Sequence, residues 1–78
     1  MRRYFFHLYD DVVAMDEEGV ELSGPAAARE RAVAEARQIA CAEVLKGHLD
    51  LGHRIDVADE AGETIFTVHF RDSVEVKT

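Results

Sequence analysis

The segment from Pro25 to Lys46 constrains the fold more than any other part of the sequence. It is rich in Ala, Glu and Arg, and it contains neither Gly nor a second Pro. Ser23 or Gly24 can cap a helix here, and Pro25 suits the first turn, where a missing N–H costs nothing. Lys46 and Gly47 supply a basic last turn and a residue that readily ends a helix. The sequence therefore predicts one long α-helix over this segment.

Three other segments show the two-residue alternation that is typical of β-strands. They are residues 3–9, 54–58 and 64–70. The loop 59–62 ends in Gly, as four-residue hairpin loops often do, so the last two strands should pair antiparallel. We expect a short additional strand near residues 11–15 or 20–22.

This order of elements predicts an α+β fold. We expect a two-layer sandwich, in which one long helix lies on one face of an antiparallel sheet of three to four strands, in the order β-β-α-β-β. The chain of 78 residues has room for a single small domain over residues 1–78, with residues 71–78 frayed. The predicted core combines the sheet residues Phe6, Leu8, Ile55, Val57, Phe66, Val68 and Phe70 with the helix residues Ala32, Ala36, Ile39, Ala40 and Val44.

The charge balance argues against some classes of protein. Nine Lys and Arg against 16 Asp and Glu give a net charge of −7, which opposes binding to the phosphate backbone of nucleic acids. No apolar run reaches the ~18 residues that a membrane-spanning helix needs. The lone Cys41 cannot form an internal disulfide, and we expect it to be a structural residue. We therefore expect a soluble cytoplasmic protein that binds neither nucleic acid nor membrane.

Two strings in the N-terminal part resemble those of a known family. They are the aromatic strand Arg3-Tyr4-Phe5-Phe6-His7-Leu8 and the acidic segment Asp16-Glu17-Glu18-Gly19-Val20-Glu21-Leu22. Together with the Ala- and Arg-rich helix and the turn at residues 59–62, they resemble a family of short alphaproteobacterial proteins known as a domain of unknown function. The likeness covers nearly the whole chain, and it implies no activity, substrate or cofactor.

A single helix can cover only one face of the sheet, so apolar side chains on the other face require an explanation. The residues expected there as an interaction surface are Phe5, His7, Tyr9, Ile65 and His69. The far side of the helix carries a second apolar set, which comprises Ala27, Ala34, Cys41 and Leu45.

Surplus apolar surface on a chain with a small core is typical of a contact surface. Two-fold dimers are the commonest assemblies, so we expect a non-enzymatic interaction module that forms a homodimer. An unidentified protein partner is an open alternative. Scattered apolar residues that have no role are another.

Three residues on the open face support an alternative function, that of a small metal- or ligand-binding domain. His7, His69 and Asp56 could together bind Zn²⁺ or a similar metal ion, if the first and last strands are neighbours. Paired ligands at helical or hairpin spacing are absent, and we expect no cofactor. The sequence also lacks a phosphate-binding loop, a nucleophile elbow and a zinc-protease motif, so we assign no catalytic residue.

The segment from Asp10 to Glu21 is acidic and contains no basic residue. Closely spaced carboxylates can bind Ca²⁺ or Mg²⁺, but this segment lacks the alternating ligands of a calcium loop. A solvated turn and a surface for a basic partner are the other two interpretations.

Overall fold

The computed structural model describes residues 1–77. It confirms the α+β class, since an antiparallel sheet packs against one long and one short helix. The elements are β1 (Arg2–Tyr9), β2 (Val13–Ala14), β3 (Val20–Leu22), α1 (Pro25–Leu45), β4 (Arg54–Ala58), β5 (Thr64–His69) and α2 (Phe70–Ser73). The sheet has five strands instead of three to four, because both positions that we considered for a short strand form one.

The strand β1 organises the sheet. It pairs antiparallel with β4 along residues 5–9, and with β3 and β2 near its start and its end. β5 pairs with β4 and forms one edge of the sheet, so the order is β2-β1-β4-β5 with β3 also on β1. β1 therefore has pairing strands on both of its sides, and the six-residue strand β5 forms one edge of the sheet.

The β4–β5 hairpin turns where the sequence predicts it. The Asp59 carboxylate accepts hydrogen bonds from the backbone N–H groups of Ala61 (2.9 Å) and Glu63 (3.0 Å). Gly62 has a φ of 84°, in the left-handed region that favours glycine. A register shift between Val57 and Ala58 forms a β-bulge beside the turn.

The helix α1 ends one residue before the predicted boundary, and Gly47 follows it with a φ of 95°. The residues of α1 that are buried against the sheet include Ala28, Ala32, Ala36 and Ala40. Small side chains at four-residue spacing line one helix face, which lets the helix lie close to the sheet. Within residues 1–77, no helix is long and apolar enough to cross a membrane.

One predicted core residue is wrong. Val44 is 56% exposed. The buried face of α1 continues from Ala40 to Glu43, and Val44 lies about 100° further around the helix. Three other predicted residues, Leu8, Ile39 and Phe66, are partly buried and pack against the core.

The end of the chain is more ordered than predicted. Residues 70–73 form α2, in which Phe70 and Ser73 are buried. The Arg37 side chain of α1 donates a hydrogen bond from Nε to the Ser73 carbonyl (2.6 Å). The prediction that residues 71–78 fray is therefore corrected for residues 71–73. Residues 74–77 belong to no helix or strand, and residue 78 lies outside the described residues.

Candidate functional site

The face of the sheet turned away from α1 carries a stripe of rings along β1. The rings of Phe5 and His7 are stacked, with centroids 6.5 Å apart and an interplanar angle of 14°. The guanidinium of Arg54 lies 4.2 Å from the centroid of the Tyr9 ring, in a cation–π contact. All three β1 residues are partly buried. The structure thus brings Phe5, His7 and Tyr9 together as one continuous stripe.

The two remaining residues of the expected surface lie on β5, beyond β4. His69 is separated from Tyr9 by Arg54, which pairs with both of them across the sheet. Ile65 lies beside the bulge and is 38% exposed. It lines an open pocket of about 310 Å³ between the start of β1, the start of α1 and the β4–β5 turn. The five residues therefore do not form one continuous surface.

A row of hydrogen-bonded polar side chains lies at the centre of this face. The Asp56 carboxylate accepts a hydrogen bond from Thr67 Oγ1 (2.8 Å) and another from Arg54 Nε (3.3 Å). The Asp56 side chain is only 15% exposed. A partly buried carboxylate with two donors is well satisfied, so Asp56 ties β4 to β5 across this face.

The geometry does not assemble the three residues considered for a metal ion. β4 lies between β1 and β5, so the condition that the first and last strands are neighbours is not met. His7 Nδ1 accepts the backbone N–H of Asp16 (3.0 Å), and His69 Nδ1 lies 3.5 Å from Asp72 Oδ2. Within the part of the chain that the structure describes, no group of three His, Cys, Asp or Glu side chains could hold a metal ion.

The side chain of Asp16 replaces a missing stretch of β-strand. β3 pairs with residues 2–4 of β1, and β2 pairs with residues 8 and 9. Between these stretches, Asp16 Oδ2 accepts the backbone N–H of Phe6 (3.1 Å). Asp16 Oδ1 accepts the N–H groups of Glu18 (3.2 Å) and Gly19 (3.1 Å). Sequence reasoning missed this role, because an acidic segment gives no sign of which carboxylate contacts the backbone.

These contacts set the charge state of Asp16. Partial burial by itself would raise the pKa of Asp16, but hydrogen bonds from the N–H groups of Gly19, Phe6 and Glu18 lower it below the usual value. Asp16 is therefore a carboxylate at neutral pH, and three backbone donors depend on it.

Gly19 allows the acidic segment to close against β1. Its φ is 70°, and a Cβ at this position would lie 2.9 Å from the Tyr4 carbonyl oxygen, from Arg3 Cγ and from Phe5 Cε1. Arg3 adds a hydrogen bond from Nη1 to the Glu18 carbonyl (2.7 Å) and an ion pair with Glu21 (3.2 Å). The segment is thus fixed on the edge of β1 by specific contacts. The sequence interpretation of a solvated turn is therefore right about the turn, but Asp16 in it is bonded to three backbone N–H groups.

The outer edge of β5 has unused hydrogen-bonding groups. The backbone N–H of Phe70 donates to the His53 carbonyl (2.8 Å). Backbone groups alternate in direction along a strand, so the N–H and C=O groups of Val68 and Phe66 also point toward β4. The backbone groups of Thr67 and His69 therefore point outward. The His69 N–H donates to Asp72 Oδ2 (3.3 Å), which leaves Thr67 in the middle of the open edge.

The edge strand β5 also lacks the usual protection against pairing. Residues 64–70 read Thr-Ile-Phe-Thr-Val-His-Phe and contain no Lys, Arg, Asp, Glu or Pro. In natural proteins, such residues or bulges commonly prevent an edge strand from pairing with a strand of another chain. The bulge in β5 lies at its first residues, so the rest of the strand remains regular.

A second polar cluster lies at the C-terminal end of α1. His53 is 8% exposed and Glu43 is 8% exposed, and the two are hydrogen-bonded (Nδ1 to Oε1, 2.9 Å). On the other side of the ring, His53 Nε2 lies 3.3 Å from Asp50 and 3.6 Å from Asp11. The rings of His53 and Phe70 pack in a T-shaped contact, with centroids 5.6 Å apart and an interplanar angle of 82°. Sequence reasoning missed this pair, because a histidine ten residues after a glutamate carries no signal of burial.

The comparisons with known proteins identify the family but no function. The sequence model of a family described as Domain of unknown function (DUF6894) matches residues 3–71, so the chain belongs to this family. This agrees with the resemblance found in the sequence at the level of a family of unknown function. No curated protein and no solved structure matches the chain.

Proposed function

We propose that this protein is a non-enzymatic interaction module that forms a homodimer by pairing β5 with β5 of a second copy. The observation that carries the proposal is the open edge of β5, where Thr67 directs its backbone N–H and C=O outward. Pairing with a second strand would satisfy these groups and extend the sheet across both chains.

A two-fold arrangement fixes the register of the pairing. If the symmetry axis passes beside Thr67, its backbone bonds to Thr67 of the second copy, and position 65 of each chain lies opposite position 69 of the other. Ile65 and His69 are two of the residues that the sequence predicts for the interaction surface. Dimerisation would thus place them against each other, although β4 and the bulge separate them from the β1 stripe within one chain.

Charge supports this edge as the site of self-association. Each chain carries a net charge of −7, so two copies repel each other in most orientations. β5 contains no charged Asp, Glu, Lys or Arg side chain and therefore adds no repulsion at the contact itself. Apolar and β-branched residues along the strand favour pairing.

The proposal assigns no catalytic step. Two of the histidines are engaged in contacts within the fold: His7 accepts a bond from Asp16, and His53 lies between Glu43 and Asp50. A cytoplasmic location is part of the proposal, because the exposed thiol of Cys41 suits a reducing compartment.

The experiment is sedimentation equilibrium of the native chain and of two variants at residue 67. Thr67→Pro removes the outward N–H without removing a backbone hydrogen bond to β4, so it should give a monomer of 8.7 kDa where the native chain gives a dimer. Thr67→Val also loses the hydroxyl bond to Asp56 but keeps the N–H, so it should remain dimeric. A monomeric native chain, or a dimeric Thr67→Pro variant with native circular dichroism, would overturn the proposal.

A further inference from the structure

A pocket of about 310 Å³ lies where the start of β1, the start of α1 and the β4–β5 turn meet. Apolar side chains form part of its wall, among them Pro25, Ala61 and Ile65. Its volume falls at the lower end of the range for small-molecule sites, about 300–1,000 Å³. Of these residues the proposed dimer involves only Ile65, so the pocket is a candidate site of its own.

Tyr4 brings a hydroxyl without a partner to this pocket. The residue is 2% exposed, and it lines the pocket. Within residues 1–77 no group forms a hydrogen bond with the Tyr4 hydroxyl, and its oxygen is not among the fully buried atoms. The small part of Tyr4 that solvent reaches therefore includes this oxygen, at the pocket. Buried tyrosine hydroxyls usually have a hydrogen-bond partner, and a ligand in the pocket would supply the one that the fold lacks.

Arg2 provides an unpaired positive charge at the same pocket. It is exposed, and its guanidinium forms no ion pair among the described residues. The guanidinium of Arg3, which also lines the pocket, is instead bonded to the Glu18 carbonyl and to the Glu21 carboxylate. A guanidinium presents several donors in a plane, which suits the two oxygens of a carboxylate. Arg2 can therefore bind a carboxylate of a ligand.

The two carboxylates that line the pocket already have donors. Asp59 Oδ1 accepts two backbone N–H groups of its own turn, and Glu60 Oε1 accepts the backbone N–H of Arg3 (3.3 Å). The formal charges of the lining side chains cancel, since Arg2 and Arg3 balance Asp59 and Glu60. Because the carboxylates have donors and Arg2 has no acceptor, the pocket favours an anion over a cation.

The start of α1 adds to this preference. Gly24 has no side chain that could cap the helix, the first turn contains no acidic residue, and Pro25 of this turn lines the pocket. The N–H groups of a first helical turn have no partner within the helix, and they give the helix start a partial positive charge. This end of α1 therefore stabilises negative charge in the pocket.

We propose that this pocket binds a small carboxylate with an apolar body. The carboxylate accepts hydrogen bonds from the Tyr4 hydroxyl and the Arg2 guanidinium, and the apolar body lies against Pro25, Ala61 and Ile65. All five residues belong to one chain, so this inference does not depend on the proposed dimer.

The experiment is a titration of the ¹⁵N-labelled full chain with benzoate. Benzyl alcohol is the matched control, because it has the same ring with an alcohol in place of the carboxylate. Benzoate should cause saturable shifts of the amide signals of residues 2, 4, 61 and 65, and benzyl alcohol should bind more weakly. No saturable shifts, shifts centred elsewhere, or equal binding of both compounds would overturn the inference.

Three variants separate the assigned contacts from general charge attraction. Tyr4→Phe removes only the hydroxyl and breaks no hydrogen bond within the fold, so it should unfold like the native chain but bind benzoate about tenfold more weakly. Arg2→Gln removes the unpaired charge and should weaken binding by about the same factor. Arg31→Gln removes a charge from an exposed ion pair outside the pocket and should leave the affinity unchanged. Unchanged affinity in either pocket variant, or an equal loss in Arg31→Gln, would contradict the assignment of this site.

Discussion

Asp16 and His7 are bonded to each other, since the backbone N–H of Asp16 donates to His7 Nδ1 over 3.0 Å. In the same contact, the Asp16 carboxylate accepts the N–H of Phe6, the residue before His7. The aromatic strand and the acidic segment that carry the family resemblance are therefore two halves of one structural unit. The stability of this unit depends on the Asp16 carboxylate and on Gly19.

Replacing Asp16 by Ala should lower the free energy of unfolding by about 2 kcal/mol, because three backbone N–H groups lose a charged acceptor. Urea denaturation followed by circular dichroism measures this loss. The control is Glu17→Ala, which alters an exposed neighbour and should change stability by less than about 0.5 kcal/mol. Equal effects of the two substitutions would show that Asp16 is only a solvated residue of the turn.

Acid should weaken the same contact. The pKa of Asp16 is lower in the folded chain than its ordinary value, so the charged form contributes stability at neutral pH. This contribution is present above the unfolded pKa and is lost as the pH falls through the folded pKa. In Asp16→Ala the loss of stability in acid should be smaller than in the native chain. Parallel pH profiles for the two proteins would contradict this prediction.

Gly19→Ala should destabilise the fold more than Gly47→Ala. Both glycines have positive φ, but only at Gly19 would the new Cβ meet other atoms at 2.9 Å. We expect a loss of about 1 kcal/mol at Gly47 from backbone strain alone, and of about 2–3 kcal/mol at Gly19 from strain and overlap together. Thermal unfolding of both variants provides the comparison, and a larger loss at Gly47 would disprove the account of this turn.

His53 should make stability depend on pH in the opposite direction from Asp16. Burial alone would lower the pKa of His53, but its hydrogen bond to Glu43 and the charges of Asp50 and Asp11 raise it above 6.5. The stabilisation is complete below the unfolded pKa and is lost as the pH rises through the folded pKa. Urea midpoints measured between about pH 6 and pH 9 should therefore fall with pH. Glu43→Gln should flatten that slope, and an unchanged slope would refute the role of the pair.

The sequence predicts the regular elements of this fold well, because they depend on local patterns. The helix from Pro25 and the hairpin with Gly62 follow from capping and turn residues, and the structure confirms both. The buried pair of Glu43 and His53 could not be predicted, since two polar residues ten positions apart give no periodic signal. The prediction that Val44 is buried was wrong, because its apolar character favoured burial, whereas Glu43 is the buried residue at this end of the helix.

The candidate site was predicted only in part. Alternation along β1 correctly places Phe5, His7 and Tyr9 on one face, but strand order cannot be read from a single sequence. The sequence therefore could not show that β4 separates the strand of His7 from the strand of His69. The open edge of β5 likewise became visible only once its neighbours were known.

Hydrogen exchange at the Thr67 amide tests the central proposal most directly. In a single chain this N–H points away from β4 and has no strand to bond to, whereas in the proposed dimer it donates to the second copy. We predict that Thr67 becomes protected as the protein concentration rises, while Val68, which bonds within the sheet, is protected throughout. Fast exchange of Thr67 at every concentration, with Val68 protected, would contradict pairing through β5.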